Sequence, residues 1–161
     1  TSCQEKSFCM VILDTSIIID HLRMHVFDQE SRLMRLVSQL SGEELAISLI
    51  TVQELYAGRS SREHEKEKDM LAVISPLKML PITYQIVKTA GCVARDFDKR
   101  AMTMADALIA ATCLEYEAEL ATLNERDFAM IPRLRLRVEL FLRLNGRMPT
   151  AGEASELFEI Q

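Results

Sequence analysis

The chain has 161 residues, 48% apolar and 27% charged, with a net charge of -5. These values imply one globular domain, and no apolar run approaches the ~20 residues a membrane helix needs, nor is there a basic, apolar signal leader. The acidity argues against broad nonspecific nucleic-acid binding but leaves room for a local basic groove. Cys3, Cys9, Cys92 and Cys113 show no C-x-x-C spacing, so free thiols in a reducing cytoplasm are expected, with Cys92 and Cys113 as small core residues.

In chain order, Thr1 to Cys9 lacks periodicity and precedes Met10, which fits a native start; residues 1–9 are expected to be a disordered leader or an expression remnant. Val11, Ile12 and Leu13 have no polar alternation and predict a strand buried on both faces, as in a parallel sheet. Asp14 ends that strand, at the edge where open α/β sheets form ligand crevices. Ile17 to Leu22 predicts a short helix and Asp28 to Leu40 a second, with Leu33, Leu36, Val37 and Leu40 inward. Leu45 to Ser48 is the second strand, and Thr51 opens a helix to about Ala57 before Gly58. The charged stretch from Ser61 leads into a helix that Ser75-Pro76 breaks, and Leu77 to Leu80 is a third strand. Thr83 caps a helix to about Lys99, with Ile86, Val87, Ala90, Val93, Ala94 and Phe97 inward. Asp106 to Glu117 is a helix, Leu120 to Leu123 a fourth strand and Leu134 to Val138 a fifth. Alternating strands and helices predict a three-layer α/β/α sandwich around a mainly parallel sheet, spanning 10–146 and followed by a tail, 147–161.

Four acids fall at element boundaries: Asp14, Glu54, Asp106 and Asp127, the last near Asn124. Crowded carboxylates repel unless a cation holds them, and oxygen donors of this kind suit Mg²⁺ or Mn²⁺. Such an ion activates water and neutralises charge on a phosphoryl group, which points to phosphodiester hydrolysis. Each acid also has a structural explanation. Thr51-Val52-Gln53-Glu54 fits a capping box, and Asp106 and Asp127 can complement helix dipoles.

Four stretches carry a family resemblance: V-I-L-D-T-S-I-I-I-D (Val11 to Asp20), I-S-L-I-T-V-Q-E-L-Y-A-G (Ile47 to Gly58), M-A-D-A-L-I-A-A-T (Met104 to Thr112) and L-A-T-L-N-E-R-D-F-A-M-I-P (Leu120 to Pro132). In this order and spacing the chain resembles PIN-domain proteins, and within them the VapC-type toxin ribonucleases of toxin-antitoxin pairs. The resemblance implies an Mg²⁺-dependent endoribonuclease, with Mn²⁺ as a substitute, cleaving RNA by metal-activated water. It assigns Asp14, Glu54 and Asp106 to the acidic centre, Asp14 and Asp106 as metal ligands, and Thr15 and Ser16 as hydroxyls orienting the first acid or a water. Many PIN domains have Asp where Asn124 stands, while VapC-like members often carry Asn there and Asp three residues on, so Asn124 and Asp127 take supporting roles. It further implies a homodimer and a cognate antitoxin covering the acidic rim, where an antitoxin arginine would replace metal charge.

Arg133, Arg135 and Arg137 alternate with apolar residues, so a strand would put all three on one face, as RNA phosphate contacts or as charges guarding an edge strand. His21 and His25 have zinc spacing but no third ligand. Asp96-Phe97-Asp98 has the D-x-D form of phosphatases, yet lies in a helical pattern, and no Walker or G-x-G-x-x-G loop exists. Two rival readings are a non-catalytic PIN-fold protein that binds RNA or an antitoxin, and a metal-dependent phosphatase; divalent-dependent turnover of RNA separates them.

Overall fold

The computed structural model describes residues 9–25, 30–40, 42–58, 62–97 and 102–137. The leader before Cys9, the tail 147–161, Asp28, the His25 side chain, Asp98 and Val138 lie outside the described residues.

β1 (Met10–Leu13) forms where the unbroken apolar run predicts it, and Val11, Ile12 and Leu13 are fully buried because this strand is the centre of the sheet. β2 (Glu44–Ser48) and β4 (Glu119–Ala121) flank it, β3 (Lys78–Leu80) and β5 (Arg135–Leu136) lie outside them, and every pairing is parallel. Parallel neighbours require crossovers, which helices supply. α1 (Thr15–His25) and α2 (Arg32–Gln39) join β1 to β2, and α3 (Leu49–Ala57) and α4 (His64–Ile74) join β2 to β3. α5 (Tyr84–Asp96) and α6 (Met104–Glu115) lead to β4, and the short α7 (Glu125–Phe128) precedes β5.

Side-chain alternation along β1 splits the core in two. Val11 and Leu13 join Ile17, Ile18, Leu33, Leu36, Met70 and Ile74 on one side; Ile12 joins Ile86, Ala90, Val93, Ile109 and Phe128 on the other. The expected three-layer α/β/α sandwich is therefore the fold observed. In α6, Ala107 to Cys113 are all buried, as for a helix that is apolar all round. Its small residues let it lie close to the sheet, with its first turn at the carboxyl edge.

Several expected boundaries move, for local reasons. α2 starts at Arg32 because Ser31, whose Oγ accepts the Met34 N–H, is its N-cap, so Glu30 stands outside the helix. Val37 and Val87, expected inward, are 51% and 52% exposed; each lies one position off the stripe that its helix buries. Cys92, expected in the core, is exposed, whereas Cys113 is buried as expected. Among the described residues the fifth strand holds Arg135 and Leu136, and just before it Arg133 takes a positive φ of 67°, which few non-glycine residues adopt.

Candidate active site

All four connections that leave the carboxyl edge of the sheet contribute to the site. β1 and β4 run in register, Leu13 opposite Ala121, so Asp14 and Thr122 emerge side by side, and the Asp14 N–H donates to the Ala121 carbonyl at 2.9 Å. Asp14 is only 4% exposed. Its Oδ2 accepts the Ser16 hydroxyl at 2.6 Å and the Thr122 hydroxyl at 2.7 Å. Burial is the largest influence on this carboxyl and raises its pKa; the two hydroxyls pull the other way, and the charge of Asp106 raises it further.

Glu54 reaches the same place because α3 begins directly from β2. The expected capping box at Thr51 does not form: Ser48 is the N-cap residue and the helix starts at Leu49. Thr51 is consequently inside the helix, buried, its Oγ1 without a hydrogen-bond partner. Glu54 is therefore not a capping residue, and its Oε2 accepts the Thr15 hydroxyl instead. Thr15 thus orients Glu54, and Ser16 orients Asp14. Burial raises the Glu54 pKa, and the charges of Asp14 and Asp106 add to it against the Thr15 hydrogen bond.

Asp106 does make a capping box. α6 starts two residues earlier than expected, with Thr103 as N-cap; the Thr103 Oγ1 accepts the Asp106 N–H at 3.1 Å. Asp106 Oδ2 accepts both the Thr103 N–H at 3.0 Å and its hydroxyl at 2.7 Å. Capping does not remove this acid from its neighbours: the same first turn lies close enough for the Asp106 charge to raise the pKa of Asp14 and Glu54.

Among the described residues, no three His, Cys, Asp or Glu side chains stand close enough to enclose an ion. Like charges repel, and each acid is turned onto a hydroxyl. The donor set nonetheless fits Mg²⁺, which keeps several waters and needs one or two carboxylates rather than a protein cage. Neither hydroxyl on Asp14 engages Oδ1, and no ion pair reaches Asp14, Glu54 or Asp106 among the described residues.

Of the other expected residues, Asn124 reaches this network through its backbone N–H, which donates to the Thr122 Oγ1 at 3.0 Å, and the Asp127 N–H donates to the Asn124 carbonyl at 3.1 Å. Arg133, Arg135 and Arg137 do not share a strand face: Arg133 precedes β5, Arg135 donates to the Glu117 carbonyl, and Arg137 pairs with Glu119 at 2.9 Å and Glu43 at 3.3 Å. Both anchors lie at the amino edge of the sheet, opposite the acids. His21 shares a hydrogen bond with Ser31 at 2.6 Å. Asp96 ends α5 and pairs with Arg95, away from any strand end.

Thr122 is the site residue that sequence reasoning missed, because it was taken as part of the fourth strand. The available signal was the lone hydroxyl that closes the apolar pair Leu120-Ala121, in the position that matches Asp14 on the neighbouring strand. Cys113 is also near, but burial, and then the Asp14 charge, push its thiol pKa far up, so it stays protonated and unreactive.

With this geometry in hand, the PIN domain family model matches residues 11–134. The chain is similar to Ribonuclease VapC19 of Mycobacterium tuberculosis (strain ATCC 25618 / H37Rv), 36% identical over 131 residues that cover 78% of this chain and 98% of the relative. Ribonuclease VapC10 of the same organism is 30% identical over 128 residues, 78% of this chain and 91% of the relative. Among solved structures, VapBC-1 from nontypeable Haemophilus influenzae has a TM-score of 0.65 at 26% identity, covering 80% of this chain and 96% of that chain. A toxin-antitoxin complex from Klebsiella pneumoniae has a TM-score of 0.61 at 26% identity, covering 77% and 94%.

Proposed function

This chain belongs to the PIN-domain family, and from that premise we propose that it is a VapC-type endoribonuclease toxin that hydrolyses RNA phosphodiester bonds with Mg²⁺, for which Mn²⁺ can substitute. The observation that carries the reading is the convergence of Asp14, Glu54 and Asp106 from separate crossovers on one rim, with hydroxyl and backbone partners in place of cationic ones. A surface built merely to bind RNA gains nothing from negative charge turned towards phosphates.

In this mechanism Asp14 and Asp106 would hold the ion and Glu54 would assist. When bound, the ion supplies positive charge that activates a water and neutralises charge developing on the phosphoryl group. Ser16 and Thr122 keep the Asp14 carboxylate in one orientation, and Thr15 does the same for Glu54. Burial and its acidic neighbours make Glu54 a stronger base than a free carboxylate, suited to take a proton from the attacking water. No side-chain nucleophile is needed. Asn124 supports Thr122 with its backbone N–H, and the Asp127 N–H in turn holds the Asn124 carbonyl.

The relatives are named ribonucleases and the structural counterparts include a toxin-antitoxin complex, which supports a cognate antitoxin as partner; a homodimer acting in the cytoplasm belongs to the same proposal. The test is cleavage of labelled single-stranded RNA with Mg²⁺ and with chelator, by the wild type and by Asp14→Ala. Cleavage that needs Mg²⁺ and disappears in the variant is expected. Undiminished cleavage by Asp14→Ala would end the proposal, and hydrolysis of small phosphate esters with RNA left intact would favour a phosphatase.

A further inference from the structure

The Asp14 carboxylate is held from two sides by hydroxyls whose protons are directed. A hydroxyl has one proton to give and lone pairs to receive. Thr122 Oγ1 accepts the Asn124 N–H at 3.0 Å, and Ser16 Oγ accepts the Leu123 N–H at 3.1 Å. Backbone donors occupy the accepting side of each oxygen, so each hydroxyl proton goes to Asp14, and both arrive at the same atom, Oδ2. Two consecutive N–H groups of the turn after β4 thereby set the rotation of an acid on a different strand.

We propose that Thr122 is a positioning residue, whose hydroxyl fixes Asp14 through Oδ2 so that Oδ1 is the oxygen presented to a divalent cation. The inference rests on the metal-dependent reading above and adds to it a residue outside the acidic set. Thr122 is 1% exposed and its hydroxyl donates to Asp14, so it acts through Asp14. Without its hydroxyl the carboxylate keeps the Ser16 hydroxyl and the Thr15 backbone N–H, and loses one of the two hydroxyl donors that fix Oδ2. Partners of this kind behind a metal ligand typically change metal affinity by about 10–100-fold.

The test is Mg²⁺ and Mn²⁺ binding by titration calorimetry, without RNA, on the full chain as wild type, Thr122→Val, Thr122→Ser and Asp14→Asn. Thr122→Val keeps the shape and removes the hydroxyl; about tenfold weaker binding is expected, with Thr122→Ser within about twofold of the wild type. In RNA cleavage the Thr122→Val deficit should shrink as metal is raised, with KM for RNA unchanged, a pattern that a purely structural defect would not produce. Wild-type cation binding that Thr122→Val leaves unaltered would overturn the proposal alone. Absence of binding by the wild type would overturn the metal-dependent reading and this inference with it. If Thr122→Val does not fold, Thr122→Ala, which only removes atoms, takes its place in the same titration. Failure of both to fold while Thr122→Ser folds would assign the hydroxyl to the fold and overturn the proposal.

Discussion

The two ends of the sheet treat acidic side chains in opposite ways. At the amino edge Arg137, its side chain 15% exposed, lies between Glu119 and Glu43, and Lys78 meets Glu44. At the carboxyl edge Asp14, Glu54 and Asp106 receive hydroxyls and backbone N–H groups but no Lys or Arg among the described residues. Burial without a counter-ion is unfavourable to a carboxylate, and Asp14 and Glu54 register it as raised pKa values. Where acids serve the fold, the chain supplies its own cations. Where it withholds them, an external cation has a place to act.

The largest expected effect breaks the carboxyl edge. Asp14→Ala or Asp106→Ala should lower Mg²⁺-dependent RNA cleavage by at least roughly 100-fold, since the several kcal/mol that an ion supplies convert at 1.36 kcal/mol per tenfold. The matching change at the amino edge, Arg137→Ala, should cost stability instead. It removes the arginine that Glu119 and Glu43 share, at about 1.5–3 kcal/mol by denaturant unfolding, while Mg²⁺ affinity and the salt dependence of RNA binding stay as in the wild type. A flattened salt dependence in Arg137→Ala would show that this arginine reaches phosphate and would blur the contrast.

A third expectation concerns pH. The ordinary values are 3.8 for Asp14 and 4.5 for Glu54, and folding raises both. The folded state then holds protons that the unfolded state has released, so the stability these groups contribute is fully present below the ordinary values and is lost as pH rises through the folded ones. Without divalent ions, Asp14→Asn should therefore be more stable than the wild type at neutral pH, and the difference should close towards pH 4. Thermal unfolding across pH in chelator measures it. An Asp14→Asn variant less stable than the wild type at neutral pH would show that the ionised carboxylate stabilises the fold.

The smallest effects compare two stretches that read alike in sequence. Thr51-x-x-Glu54 and Thr103-x-x-Asp106 both fit a capping box, and only the second forms one. Thr103→Ala should cost about 1 kcal/mol of stability, as for other N-caps. Thr51→Val, which replaces an unpartnered buried hydroxyl by a methyl, should be neutral or mildly stabilising. What decided between them was the preceding residue. Helix α3 follows β2 without a linker, so Ser48 is the N-cap residue and Glu54 is released from the helix start.

This difference marks what can be read from a linear chain and what cannot. The run Val11-Ile12-Leu13 and the acid that ends it were legible because burial on both faces leaves a local pattern, and the layer order followed from alternating strands and helices. Element boundaries pointed to Asp14, Glu54 and Asp106 but equally to Asp127, and only the family resemblance separated the first three. Thr122 was not legible, because its role depends on β1 lying beside β4 in a register that no local pattern encodes. The arginines show the same limit. Alternation correctly suggested a strand, but the pairing of Arg137 with Glu43 joins segments far apart in the chain, and the positive φ at Arg133 sets that residue outside the strand.

The central claim is that the carboxyl-edge acids share one cation site, and the melting temperature under Mg²⁺ titration tests it most directly. Binding to the folded state alone adds about 2.7 kcal/mol at a hundred times Kd, a rise of several degrees for a chain of this length, which Asp14→Asn should abolish. A wild-type melting temperature that does not move across the titration, or one that rises equally in Asp14→Asn, would contradict the account.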